Sequence, residues 1–375
     1  MKLKRTALFL LVLPAFLVSC NVPLDLAGIF RSMGDLFPAR NIERSEHVFE
    51  FGRDKRGLHI NYQYKGKTHT LDDLFRRTKT TGFIVVKDDS IVYERYFRGG
   101  CEDSLFTSWS VAKSFLSALI GIAIEEGHID SVNDPITKYV PELEETGYNE
   151  VPIKHILQMS SGVDFDETYY DLSSDIYVMM EKVFLFKRPI ENTILKLESE
   201  RASGEHFRYA SSDSQVLGML LSRVTGKTVS AYLEEKIWRP LGMESNANWN
   251  IDSEGVELSF CCLNATLRDY ARFGRLYLHQ GNWDGVQVVP EEWVLESVVP
   301  DQPHLQPGMT GDGWGYQYQW WIPKEPDGEF LACGVYGQYI YVNTKKNLVI
   351  VKTSADPKMA DDESVAAFRT IAEHL

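Results

Sequence analysis

Two β-hairpin signatures lie near opposite ends of this 375-residue chain, separated by a mostly helical stretch. The first spans 82–97, with β-branched and aromatic arms around the polar turn Asp88-Asp89-Ser90. The second pairs 338–342 with 348–351 across a Lys-Asn-rich turn. Between them, apolar runs and cap residues predict helices over 110–127, 153–159, 213–225, 229–237 and 267–280, and a last helix over 361–375. Strands at both ends with helices between them predict an α/β (α+β) fold. Its antiparallel sheet is built from both chain ends and flanked by helices, with an inserted, mainly helical subdomain over about 106–254.

The chain is 44% hydrophobic and 25% charged, enough for a large core. A net charge of -14 argues against nucleic acid or an anionic bilayer surface as the main partner. Lys2, Lys4 and Arg5 precede an apolar run over 7–18, broken by Pro14, which reads as a signal peptide over 1–19. That run is too short for a comfortable membrane span. It ends Leu17-Val18-Ser19-Cys20, which resembles a bacterial lipobox and implies lipid attachment at Cys20. The expectation is an exported lipoprotein held on the periplasmic or cell-surface side of a membrane. Residues 20–60 then read as tether and lead-in, and 61–375 as the folded domain. Of the other cysteines, Cys261 and Cys262 are adjacent, so a bridge between them would be strained. Buried free thiols are expected at Cys101, Cys261, Cys262 and Cys333. No His/Cys/Asp spacing resembles a metal site, and no cofactor is expected.

The run Ser110-Val111-Ala112-Lys113 opens the apolar helix over 110–127. Residues three apart share a helix face, so the Ser110 hydroxyl and the Lys113 amine project into the same space. An amine desolvated there loses its proton near neutrality and activates a serine. Tyr209 ends an extended run just before a helix with Ser212 or Asp213 as N-cap, which aims its phenol into a cleft. Gly334-Val335-Tyr336-Gly337-Gln338 enters a β run whose glycines allow a backbone N–H to approach an oxyanion. Five aromatics within 313–321, Trp314 among them, suit the wall of an apolar cleft.

In this order and spacing, the motifs resemble the serine β-lactamase and penicillin-binding-protein superfamily, and in particular its class C-like branch with carboxylesterase and 6-aminohexanoate-dimer hydrolase relatives. The resemblance runs from about Thr80 to the C-terminus. It includes Phe106-Thr-Ser-Trp-Ser-Val-Ala-Lys113, Val151-Pro-Ile-Lys-His-Ile-Leu-Gln-Met-Ser-Ser-Gly162, Tyr209-Ala-Ser211, Leu263-Asn-Ala-Thr-Leu-Arg-Asp-Tyr-Ala-Arg-Phe-Gly274 and Gly337-Gln-Tyr-Ile-Tyr-Val342. It implies a β-lactamase/transpeptidase-like fold with Ser110 as acylated nucleophile, Lys113 as its partner and Tyr209 as proton carrier. The implied oxyanion donors are the backbone N–H groups of Ser110 and Gln338.

Two departures from the family's pattern bear on substrate. Its Tyr-x-Asn reads Tyr209-Ala210-Ser211, and its Lys-Thr-Gly or His-Thr-Gly reads Val335-Tyr336-Gly337. Val335 supplies no cation, so a substrate carboxylate would lose solvent without an ion pair there, at about 1–3 kcal/mol. Ester or small-amide hydrolysis therefore ranks above β-lactamase or D,D-peptidase activity on cell-wall peptides, and above a non-catalytic binding module. The expected partner is a small ester, amide or peptide.

Overall fold

The computed structural model describes residues 25–54, 56–311 and 313–375. The expected signal peptide and Cys20 lie outside these. Among the described residues, the two predicted hairpins share one eight-stranded sheet. Its strands are β1 (Gly52–Arg53), β2 (Thr80–Lys87), β3 (Ser90–Tyr96), β4 (Gly315–Gln317), β5 (Trp320–Ile322), β6 (Glu329–Gly334), β7 (Gln338–Asn343) and β8 (Leu348–Ser354). Their spatial order is β4-β5-β6-β7-β8-β2-β3-β1. All neighbours run antiparallel except β1, which lies parallel to β3. The ends of the chain meet where β8 pairs with β2, Val349 opposite Val86 and Val351 opposite Ile84. Strands β2, β7 and β8 are buried on both faces, which is why they read as continuous apolar runs.

Helices cover both faces of the sheet. On one face lie α1 (Leu71–Arg77) and the C-terminal α7 (Asp361–His374), with Leu74, Phe75, Phe368 and Ile371 in the core. On the other, a larger core holds α2 (Ala112–Glu125), α3 (Ile153–Leu157), α4 (Asp175–Phe184), α5 (Ser211–Thr225) and α6 (Leu267–Leu278). Every residue of α6 is buried, including three arginines. Arg272 is only 1% exposed and reaches Asp269 and Glu244, each at 2.9 Å, and the Phe49 carbonyl. Pairing of this kind makes a buried guanidinium tolerable.

Several expectations need correction. The lead-in is folded from Asp25 onward: helices Leu26–Arg31 and Met33–Leu36 pack on the core, and strand Ala39–Ile42 pairs with Ala247–Asn250. The apolar faces of these short segments are buried against the domain, which a sequence of mixed polarity concealed. The helix expected from residue 110 begins as a 3₁₀ turn, Trp109–Val111. Helix α5 starts at Ser211 with Ala210 as its N-cap, displacing Ser212 and Asp213 from that role. The region 106–254 also holds strands Phe106–Thr107 and Ala247–Asn250, which join Ala39–Ile42 and Leu263–Ala265 in a second sheet.

Candidate active site

The 3₁₀ turn before α2 carries Ser110, 8% exposed, and α2 places Lys113 one turn farther along at 1% exposure. Lys113 Nζ lies 3.0 Å from Ser110 Oγ, 3.1 Å from Ser211 Oγ and 2.8 Å from the Phe260 carbonyl oxygen. Three acceptors match the three donors of an ammonium. Burial nevertheless pulls its pKa down to about 8, against the opposing pull of the Glu167 and Asp213 carboxylates. The phenol of Tyr209 lies near enough to Ser110 for that hydroxyl to favour its ionised form, and its ring centroid is 5.0 Å from Lys113 Nζ. Burial holds this phenol well above its ordinary range, so it rests protonated. Its ring stacks on Trp321, with centroids 5.4 Å apart, and meets Tyr316 edge-on. The Ser110–Lys113 pair and Tyr209, predicted from two widely separated segments, are therefore brought together.

Sequence reasoning missed Glu167. Its carboxylate accepts the Ser211 hydroxyl at 2.7 Å, the Ser211 backbone N–H, and the Tyr169 hydroxyl at 2.7 Å. Burial raises its pKa, and Lys113 and these hydrogen bonds oppose the rise. Ser211, at the first position of α5, thus connects Glu167 to Lys113. One acid among 53 acidic residues carries no signal of its own in the sequence.

The strand end beside the nucleophile belongs to β6. A Cβ on Gly334 would fall 2.5 Å from the Ser108 carbonyl oxygen and 3.0 Å from the Ser110 nitrogen, so only glycine permits this approach. This corrects the oxyanion expectation at Gln338. That residue pairs with Gly334 from the next strand and lines neither space at the nucleophile. Gly337 takes φ +82° in the β6–β7 turn and packs near Ser354 and Lys352, lining neither space at the nucleophile. Val335 and Tyr336 border a narrow pocket next to Ser110, and Trp314 borders an adjoining wide cleft that Val335 also lines. The aromatic run over 313–321 is the β4–β5 hairpin: Tyr318 and Trp320 are buried, while Trp314 and Trp321 face the cleft.

Cys261 and Cys262 are joined in a disulfide, contrary to the expected free thiols. Cys262 adopts φ +68°, a left-handed backbone that lets neighbouring residues bridge. Cys261 borders the narrow pocket, directly after Phe260, whose carbonyl holds Lys113. Cys101 is exposed rather than buried, and Cys333, a half-buried thiol, lines the wide cleft.

Comparison with known proteins agrees with this geometry. The "Beta-lactamase" family model matches residues 71–373. A 6-aminohexanoate-dimer hydrolase from Paenarthrobacter ureafaciens is 29% identical over 300 residues, covering 76% of this chain and 75% of the relative. A Bacillus anthracis structure provisionally described as a 6-aminohexanoate-dimer hydrolase superposes with a TM-score of 0.85 at 26% identity, covering 93% of this chain and 94% of the other. A family VIII carboxylesterase shares the fold, with a TM-score of 0.62 at 15% identity over 80% of this chain and 94% of the other. With a family match across most of its length and hydrolases among its relatives, this chain belongs to the beta-lactamase family and is a serine hydrolase.

Proposed function

We propose that the protein hydrolyses an ester or amide bond of a small substrate through an acyl-enzyme on Ser110. The observation that carries this reading is the meeting of the Ser110 hydroxyl, the Lys113 amine and the Tyr209 phenol. With a pKa of about 8, Lys113 is about one-tenth neutral at pH 7 and serves as the base. As Oγ attacks the carbonyl carbon, its proton passes to Nζ. The N–H groups of Ser110 and Val335 receive the developing oxyanion. Tyr209, which rests protonated, donates to the leaving oxygen or nitrogen and regains a proton from the Lys113 ammonium. Water then adds to the acyl group by the same route in reverse. Among the described residues no Lys or Arg borders the narrow pocket, which favours an uncharged acyl group there.

A panel of p-nitrophenyl esters, short linear amides and nitrocefin tests the proposal. Ester turnover is expected to exceed nitrocefin turnover and to fall at least about 10³-fold in Ser110→Ala; Tyr209→Phe should lose about 10²–10⁴-fold. Faster turnover of nitrocefin than of the esters would reverse the assignment. Absence of a fluorophosphonate adduct on Ser110 would leave a binding protein instead. We further propose that the chain is exported and anchored through a lipid on Cys20; mass spectrometry of the N-terminal peptide from the membrane fraction, with and without Cys20→Ala, checks this.

A further inference from the structure

Ser110 lies where two unlike spaces meet. One is a pocket of about 60 Å³, walled by Trp109, Ile176, Met180, Val335 and Tyr336. Adjoining it is a cleft of about 910 Å³, lined by Phe207, Trp314 and Trp321 together with charged side chains such as Asp362 and Lys358. Ser110, Glu167, Tyr169, Val335 and Met359 border both, whereas Tyr209 borders only the cleft and Ile176, Met180 and Tyr336 only the pocket.

That asymmetry orients a substrate. The group that protonates the departing atom has to stand beside it, so the leaving group occupies the space that Tyr209 borders. The acyl chain, attached to the same carbonyl carbon, is directed the other way, into the narrow pocket. At about 10–15 Å³ for each water-sized group, that pocket holds roughly four to six heavy atoms. Its far wall comes from α4, where Ile176 and Met180, four residues apart, share one helix face. The half-buried Glu167 carboxylate also borders it, which disfavours an anionic acyl chain.

We infer that the substrate is an ester or amide of a short, uncharged aliphatic acid bearing a much larger leaving group, and that Met180 and Ile176 set the acyl length. This inference rests on the proposed acyl-enzyme chemistry at Ser110.

The test uses the intact enzyme and two substrate series. In p-nitrophenyl esters from acetyl to decanoyl, kcat/KM is expected to rise about fourfold per methylene while the pocket fills, then to fall at least tenfold beyond about hexanoyl. In butyrate esters whose leaving groups grow from p-nitrophenyl to bulky coumarin conjugates, kcat/KM should stay within about fivefold. Met180→Ala is expected to move the acyl optimum two to three carbons longer, and Met180→Trp to move it shorter while sparing acetyl. A wild-type optimum at octanoyl or longer, or an acyl profile unmoved by both Met180 variants, overturns the inference and leaves the Ser110 mechanism standing. Loss of all Ser110-dependent hydrolysis would instead remove the mechanism, and the inference with it.

Discussion

Lys113 shows how one residue's environment sets its chemistry. Burial favours the neutral amine, while the charge of Glu167 favours the ammonium. The proposed reaction needs the neutral amine, so kcat/KM should climb as pH rises through about 8. Glu167→Gln removes a charge that stabilises the ammonium, so this limb should move to lower pH; a pH–rate profile measures it. A limb at or above its original position would show that Glu167 does not act on Lys113. Ser110, Lys113 and Tyr209 were legible in the sequence because each sits in a motif with a local reason to point into a cleft. Glu167 and the Phe260 carbonyl were not, since their roles come only from what the chain brings next to them.

At the scale of elements, the short helix Leu26–Arg31 matters beyond its length. The Phe30 ring lies 5.2 Å from that of Trp109 and 5.0 Å from that of Tyr336. Both neighbours hold left-handed backbones, φ +44° and +63°, on either side of the nucleophile. Such strain persists only where packing over-determines it. Phe30→Ala should lower stability by about 3 kcal/mol, read from urea unfolding, and reduce kcat/KM more than tenfold; Phe30→Leu should recover most of both. Unchanged turnover in the alanine variant would confine Phe30 to a stabilising role. This helix precedes residue 71, where the family match begins, and nothing in its sequence announced a contact with the site. The run from Leu263 to Gly274 shows the opposite case. It carries part of the family resemblance, and in the structure its Arg268 and Arg272 are clamps: Arg268 binds Glu94 at 2.6 Å and Arg272 holds the Phe49 carbonyl.

Across the whole molecule, stability depends on the seam where β8 meets β2 and on α7, which covers one face of the sheet. A chain ending at Ser354 would lack Phe368 and Ile371 and expose Phe83 and Tyr341 beneath them. That truncation should give insoluble or unfolded protein by circular dichroism; a soluble, cooperatively melting product would show that the sheet needs no such cover. The hairpins, the helical middle and the Ser110–Lys113 spacing could all be read from the chain, because each follows from hydrophobic periodicity and backbone geometry over a few residues. The eight-strand order, the folding of residues 25–42 onto the domain, the Cys261–Cys262 bridge and the choice of β6 over Gln338 as the strand beside Ser110 could not. Those features arise from contacts between residues far apart in the chain, or from a backbone turn at a single residue, and local pattern carries neither.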